Sequence, residues 1–128
     1  MNDAATCAPR TAQAYKSSYK PIWCPGCGDY SVLSSVTKAL AKVGEPPENV
    51  AVVSGIGCSS RIPAYTNCYG FHGVHGRSLA AATGLKVARP DLTVLVASGD
   101  GWPFVMPYTW LSITMYVRST LRRHACRK

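Results

Sequence analysis

Residues 92–101 read LTVLVASGDG. The apolar part has no polar alternation, carries the β-branched Thr93, Val94 and Val96, and runs straight into Gly99-Asp100-Gly101. That pattern predicts a strand buried on both faces, as in a parallel sheet. Just before it, SLAAATGLKVA at 78–88 is Ala-rich and predicts a helix closed by Pro90. Further back, NVAVVSGIG at 49–57 is a second Val-rich run ending in glycines, a second buried strand. Before that, Val32, Leu33, Val36, Ala39, Leu40 and Val43 recur at three- and four-residue steps and mark one apolar helix face. Asp29 is the expected N-cap, and Gly44, followed by Pro46 and Pro47, the stop. Residues 58–77 read as a long loop. Helix, strand, loop, helix, strand and glycine turn in this order predict an α/β fold: a parallel sheet with helices on its faces and ligands at the carboxyl ends of the strands.

The chain has 128 residues and 47% hydrophobic content, enough for one domain with a real core. No apolar run reaches the roughly 18 residues that span a bilayer. The first 19 residues are polar and read as a loose arm without the apolar stretch of a secretory signal; their few acids and small polar residues also fit a transit peptide. Net charge is +8, but residues 102–128 hold Arg118, Arg122, Arg123, Arg127 and Lys128 and no acid, which leaves +3 for the rest. The body therefore lacks the basic, aromatic-interleaved surface of a nucleic-acid module. Six cysteines are many for this length. An α/β core needs no disulfide staples, so reduced thiols in the cytoplasm, some of them on metal, are expected.

Three groups of residues can carry chemistry. In IWCPGCGD, 22–29, Cys24 and Cys27 flank a Pro-Gly turn that can aim both sulfurs at one centre, and Cys58 follows the first strand in GIGCSS. A lone CxxC suits a redox pair, half a zinc site or part of an iron–sulfur cluster. No strong strand precedes Trp23, as a thioredoxin-like motif would need. Zinc would need further ligands, which Cys68, His72 or His75 can offer. The turn glycines fit a cluster, because freed backbone N–H groups can hydrogen-bond its sulfur. Cys58 also reads simply as a small buried residue at a strand end, and Cys7, Cys68 and Cys126 have no motif around them. The second group is Gly99-Asp100-Gly101, where backbone can approach a ligand closely and a carboxylate can hold Mg²⁺ against phosphate, although Gly-Asp-Gly is also an ordinary turn. The third is FHGVHGRS at 71–78, where His72, His75 and Arg77 precede a helix start suited to an anion, or form a solvated loop.

WCPGCGD at 23–29, GIGCSSRIPAY at 55–65, GFHGVHGRSLAAATGLKVARPDLTVLV at 70–96 and GDG at 99–101, taken in this order, resemble the β (thiamine-diphosphate-binding) subunit of the 2-oxoacid:ferredoxin oxidoreductases, most closely the 2-oxoglutarate type. The resemblance implies an enzyme subunit that takes part in oxidative decarboxylation of a 2-oxoacid to an acyl-CoA. Electrons would leave through a [4Fe–4S] cluster to ferredoxin. It makes Cys24, Cys27 and Cys58 three of the four cluster ligands and Asp100 a Mg²⁺ ligand. Gly99 and Gly101 would lie beside the diphosphate, while Gly57, Cys58, Ser59 and His75 line the thiamine diphosphate site. Arg61 would face the substrate. The expected partners are the α subunit, ferredoxin, coenzyme A and the 2-oxoacid, with no nucleic acid and no membrane. In the family the α subunit supplies the glutamate that activates the cofactor. Glu45 and Glu48 lie in a helix-to-strand loop, so no catalytic residue is assigned to this chain.

These motifs end at Gly101. The family's Mg²⁺-binding Asn some thirty residues past the aspartate has no counterpart, since no Asn follows Asn67, and the fourth cluster cysteine is not evident. The expected organisation is therefore an arm at 1–19, the first part of a thiamine-diphosphate-binding domain at 20–101, and an atypical basic tail at 102–128. That tail reads either as a helix over Met106 to Leu121 or as a truncated or frame-shifted continuation. The expectation is little or no holo-enzyme from this chain alone. Two other readings stand beside it: a small zinc-binding interaction domain on Cys24, Cys27, Cys58 and Cys68 or His72, and a non-functional remnant.

Overall fold

The structure is a computed structural model and describes residues 10–98. Three parallel strands form its sheet: β1, Val50–Ser54; β2, Tyr69–His72; and β3, Thr93–Ala97. Their spatial order is β2-β1-β3, so β1 is central. The last residues pair in register, Ser54 with His72 on one side and with Ala97 on the other. All three strands therefore end level, at one carboxyl edge.

Helix α1, Asp29–Val43, turns Val32, Leu33, Val36 and Leu40 inward. They pack with Tyr15, Trp23, Val50, Val52, Ile62, Tyr65, Leu95 and Ala97 on one face of the sheet. The short helix α2, Ile62–Tyr65, contributes to that same layer. Helix α3, Ser78–Ala88, covers the other face, where Ala82 meets Val53, Leu92, Val94 and Val96. Alternate residues of β1 and β3 thus enter opposite cores. This explains why both strands read as unbroken apolar runs rather than as alternating ones.

The two helices and two strands expected from periodicity are present, in a parallel α/β arrangement with helices on both faces. Three details differ. Asp29 is the first helical residue rather than the cap; Gly28 holds the cap position without a side-chain bond, and the Asp29 carboxylate instead accepts the Cys27 thiol at 3.4 Å. Residues 58–77 are not one loop, since they contain a 3₁₀ turn at Cys58–Arg61, then α2 and β2. The third difference concerns the arm. From residue 10 it is docked: Ala12–Tyr15 forms a 3₁₀ turn, Tyr15 is fully buried, and Lys16 forms an isolated antiparallel bridge with Thr66.

Candidate functional site

Because the strands are parallel and end level, their exit loops share one edge. From β1 the chain passes through Gly55 and Gly57 into the Cys58–Arg61 turn. From β2 it passes through Gly73 and His75 to Arg77, where α3 starts. From β3 it reaches Ser98, the last described residue. Gly57, Cys58, Ser59, Arg61 and His75 therefore stand together on the carboxyl edge, where open α/β sheets bind ligands. Glu45 and Glu48 precede β1 and enter at its amino edge, the far end of the sheet. Gly99, Asp100 and Gly101, and the tail, lie outside the described residues.

Two strands end in Ser-Gly steps, Ser54-Gly55 and Ser98-Gly99. A Cβ placed on Gly55 would lie 3.5 Å from both the Ser78 and the Ser98 hydroxyl oxygens. Hydroxyls from the start of α3 and the end of β3 thus flank the exit of β1, and Ser54, Ser78 and Ser98 are all buried. Gly57 has φ 115° and ψ 179°, a region that is essentially glycine-only. The strand end is polar and open to close backbone approach, a fit for a diphosphate.

His72 has a fixed place at this edge. Its Nδ1 lies 3.0 Å from the Ser54 hydroxyl and 3.1 Å from the Ser60 carbonyl oxygen. A carbonyl only accepts, so this arrangement calls for the tautomer with the proton on Nδ1. The ring ties β2 to the turn after β1. Periodicity alone gave no reason to single out Ser54 or Ser60; for Ser54 the signal was the repeated Ser-Gly at the strand ends, and Ser60 has none.

The thiols come to the same edge by a different route. Cys24-Pro25-Gly26-Cys27 is a type II turn, with proline at its second position and Gly26 at φ 80°. The Cys27 N–H donates to the Cys24 carbonyl oxygen at 3.0 Å. Preceding this turn, the indole N–H of Trp23 donates to the main-chain carbonyl of Cys58 at 2.7 Å. That bond joins the CxxC segment to the loop after β1 across thirty-five residues. Cys24 and Cys58 are exposed and Cys27 half-buried, and all three are free thiols.

Among the described residues, no three His, Cys, Asp or Glu side chains form a group that could hold one metal ion. Of the further zinc ligands offered, Cys68 and His72 are engaged elsewhere, while His75 is exposed. Cys68 packs against the α1 core, where burial pushes its thiol up to about 11. His72 is engaged by Ser54 and Ser60. A [4Fe–4S] cluster differs, because each thiolate binds its own iron and the sulfurs spread around a larger body. Three free thiols on two adjoining loops suit that donor set.

Residues 55–116 match the family model for the thiamine pyrophosphate enzyme C-terminal TPP-binding domain, a match that begins at Gly55 and runs past Gly101. The 2-oxoglutarate oxidoreductase subunit KorB of Mycobacterium tuberculosis is 50% identical over 93 residues, covering 73% of this chain and 25% of the relative. The β subunit of 2-oxoacid:ferredoxin oxidoreductase 2 from Aeropyrum pernix is 51% identical over 87 residues, covering 68% and 28%. The chain belongs to the β-subunit family of the 2-oxoacid:ferredoxin oxidoreductases. A solved member agrees in three dimensions. The 2-oxoglutarate:ferredoxin oxidoreductase from Magnetococcus marinus, with 2-oxoglutarate, coenzyme A and succinyl-CoA bound, superposes with a TM-score of 0.71 at 48% identity. That match covers 74% of this chain and 33% of the solved one. This β-subunit chain spans about a quarter to a third of the length of the relatives it matches.

Proposed function

We propose that this chain contributes the thiamine-diphosphate-binding segment, about residues 20–101, of a cytoplasmic 2-oxoacid:ferredoxin oxidoreductase acting on 2-oxoglutarate. Gly57, Cys58, Ser59 and His75 line the cofactor site. Asp100 holds Mg²⁺ between Gly99 and Gly101, and Arg61 faces the substrate carboxylate. Cys24, Cys27 and Cys58 hold three irons of a [4Fe–4S] cluster. When bound, thiamine diphosphate supplies the electron sink for decarboxylation of the 2-oxoacid, and the cluster supplies one-electron steps toward ferredoxin. The chain's own residues anchor the diphosphate through the metal and bring the thiols beside it.

What supports this reading is the shared carboxyl edge: the strands end level there, the loops after β1 and β2 leave from it, and the Trp23–Cys58 bond joins the CxxC segment to the first of them. The glutamates of this chain lie at the opposite end of the sheet, in keeping with an activating carboxylate supplied by an α subunit. A polypeptide of these 128 residues is accordingly inactive by itself.

The test is an anaerobic assay of the native assembly that contains this chain. Coenzyme A-dependent reduction of ferredoxin should occur with 2-oxoglutarate and be weaker with other 2-oxoacids. An assembly that reduces ferredoxin with no 2-oxoacid would overturn the proposal.

A further inference from the structure

Trp23 is held on every side. Its ring is edge-on to Tyr30 at 5.3 Å and to Tyr65 at 4.9 Å between centroids. The Tyr30 hydroxyl donates to the Trp23 carbonyl oxygen at 3.0 Å. The Tyr65 hydroxyl accepts the N–H of Ile22 at 3.3 Å. The main chain on both sides of the indole is therefore pinned by the same two tyrosines that sandwich the ring, which is only 7% exposed. Tyr30 belongs to α1 and Tyr65 to α2, so the support comes from two packed elements. On this base the indole N–H reaches the carbonyl of Cys58.

From this we propose that Trp23 is a positioning residue, setting the distance between the Cys24–Cys27 turn and Cys58 before any metal arrives. The turn needs no help to place Cys24 against Cys27, because Pro25, Gly26 and the internal N–H bond fix it locally. The relation of that turn to Cys58 is non-local. Trp23 gives it the only side-chain hydrogen bond between the two segments among the described residues. Phenylalanine at 23 would keep the ring between the tyrosines and remove the donor.

The inference rests on the cluster reading for its purpose, but its test needs no cluster. Metal-free protein is treated with a short bis-maleimide, and the cross-linked cysteine pairs are mapped by peptide mass spectrometry. In wild type, both the local Cys24–Cys27 link and the long Cys24–Cys58 link are expected. In Trp23→Phe the ratio of long to local link should fall severalfold, with circular dichroism and melting temperature close to wild type. Because the local link survives loosening of the fold and the long one does not, a fall in the ratio speaks for positioning only when circular dichroism and melting temperature match wild type. An unchanged ratio in folded Trp23→Phe overturns the proposal. Should Trp23→Phe fail to fold, Tyr30→Phe removes the hydroxyl that bonds the Trp23 and Pro21 carbonyls and keeps the ring; a smaller fall in the ratio is then expected, and no fall counts against the idea. A protein that passes this test but never binds iron would sink the cluster reading and leave the positioning role intact.

Discussion

The hydroxyl of Tyr15 donates to the main-chain carbonyl of Glu45, thirty residues along the chain, and the phenol ring is fully buried. The Ala12–Tyr15 turn is thereby part of the core that carries α1. Tyr15→Phe leaves the ring and removes the donor, so about 1–2 kcal/mol of unfolding free energy should be lost. Tyr15→Ala empties a buried aromatic site and should cost about 3–5 kcal/mol. Urea denaturation of the two variants checks both figures; no loss in either would return this segment to the status of a loose arm.

Gly57 sits at φ 115° and ψ 179° immediately before Cys58. Alanine there forces a side chain into a region costing of order 1–3 kcal/mol. The expected result is a lower denaturation midpoint together with changed alkylation of Cys58, because relaxing the backbone re-aims that residue. A Gly57→Ala protein of wild-type stability and Cys58 reactivity would contradict the geometry of this loop.

His72 links the buried Ser54 hydroxyl to the Ser60 carbonyl. His72→Ala leaves a fully buried hydroxyl short of a partner, a cost of about 1–3 kcal/mol. The β2 edge and the Cys58–Arg61 turn should loosen together. Faster amide exchange at both places, with α3 unchanged, is the expected pattern.

Cys68 should behave differently from the three candidate ligands. Burial raises its thiol from about 9 to about 11. At pH 8, iodoacetamide should modify exposed Cys24 and Cys58 well before Cys68. The same shift has a stability consequence. The unfolded chain releases the proton near pH 9 while the folded one keeps it, so the stabilisation is complete below pH 9 and is lost as pH rises toward 11. Burial raises Tyr15 as well and adds to the loss at higher pH. Cys68→Ser should flatten the decline between pH 9 and 11, which urea melts along a pH series would reveal.

The sequence made α1, β1, α3 and β3 legible because each has a period or an unbroken apolar run set by burial on one or two faces. It hid β2. Tyr69, Gly70, Phe71 and His72 are all exposed, so no burial pattern marks the strand, and its place comes from pairing with β1 and from the His72 bond to the turn that follows β1. The motif residues after β1 and β2 were legible, and register explains why they converge. Trp23 was visible only as an aromatic beside a turn, since its partner is a main-chain oxygen thirty-five residues away. A backbone acceptor leaves no trace in residue identities. Tyr15 escaped notice for a similar reason, as a lone tyrosine in a polar stretch that bonds to a carbonyl.

The central claim is that Cys24, Cys27 and Cys58 serve one inorganic centre. Anaerobic reconstitution of the 128-residue chain with iron and sulfide tests it, with and without an excess of a small thiol able to occupy the fourth iron. Without the thiol, occupancy should be low. With it, wild type and Cys68→Ser should bind iron and labile sulfide and give the reduced [4Fe–4S] EPR signal, whereas Cys24→Ser, Cys27→Ser and Cys58→Ser should each lose most of it. A Cys58→Ser protein that matched wild type in iron, sulfide and spectrum would contradict the account.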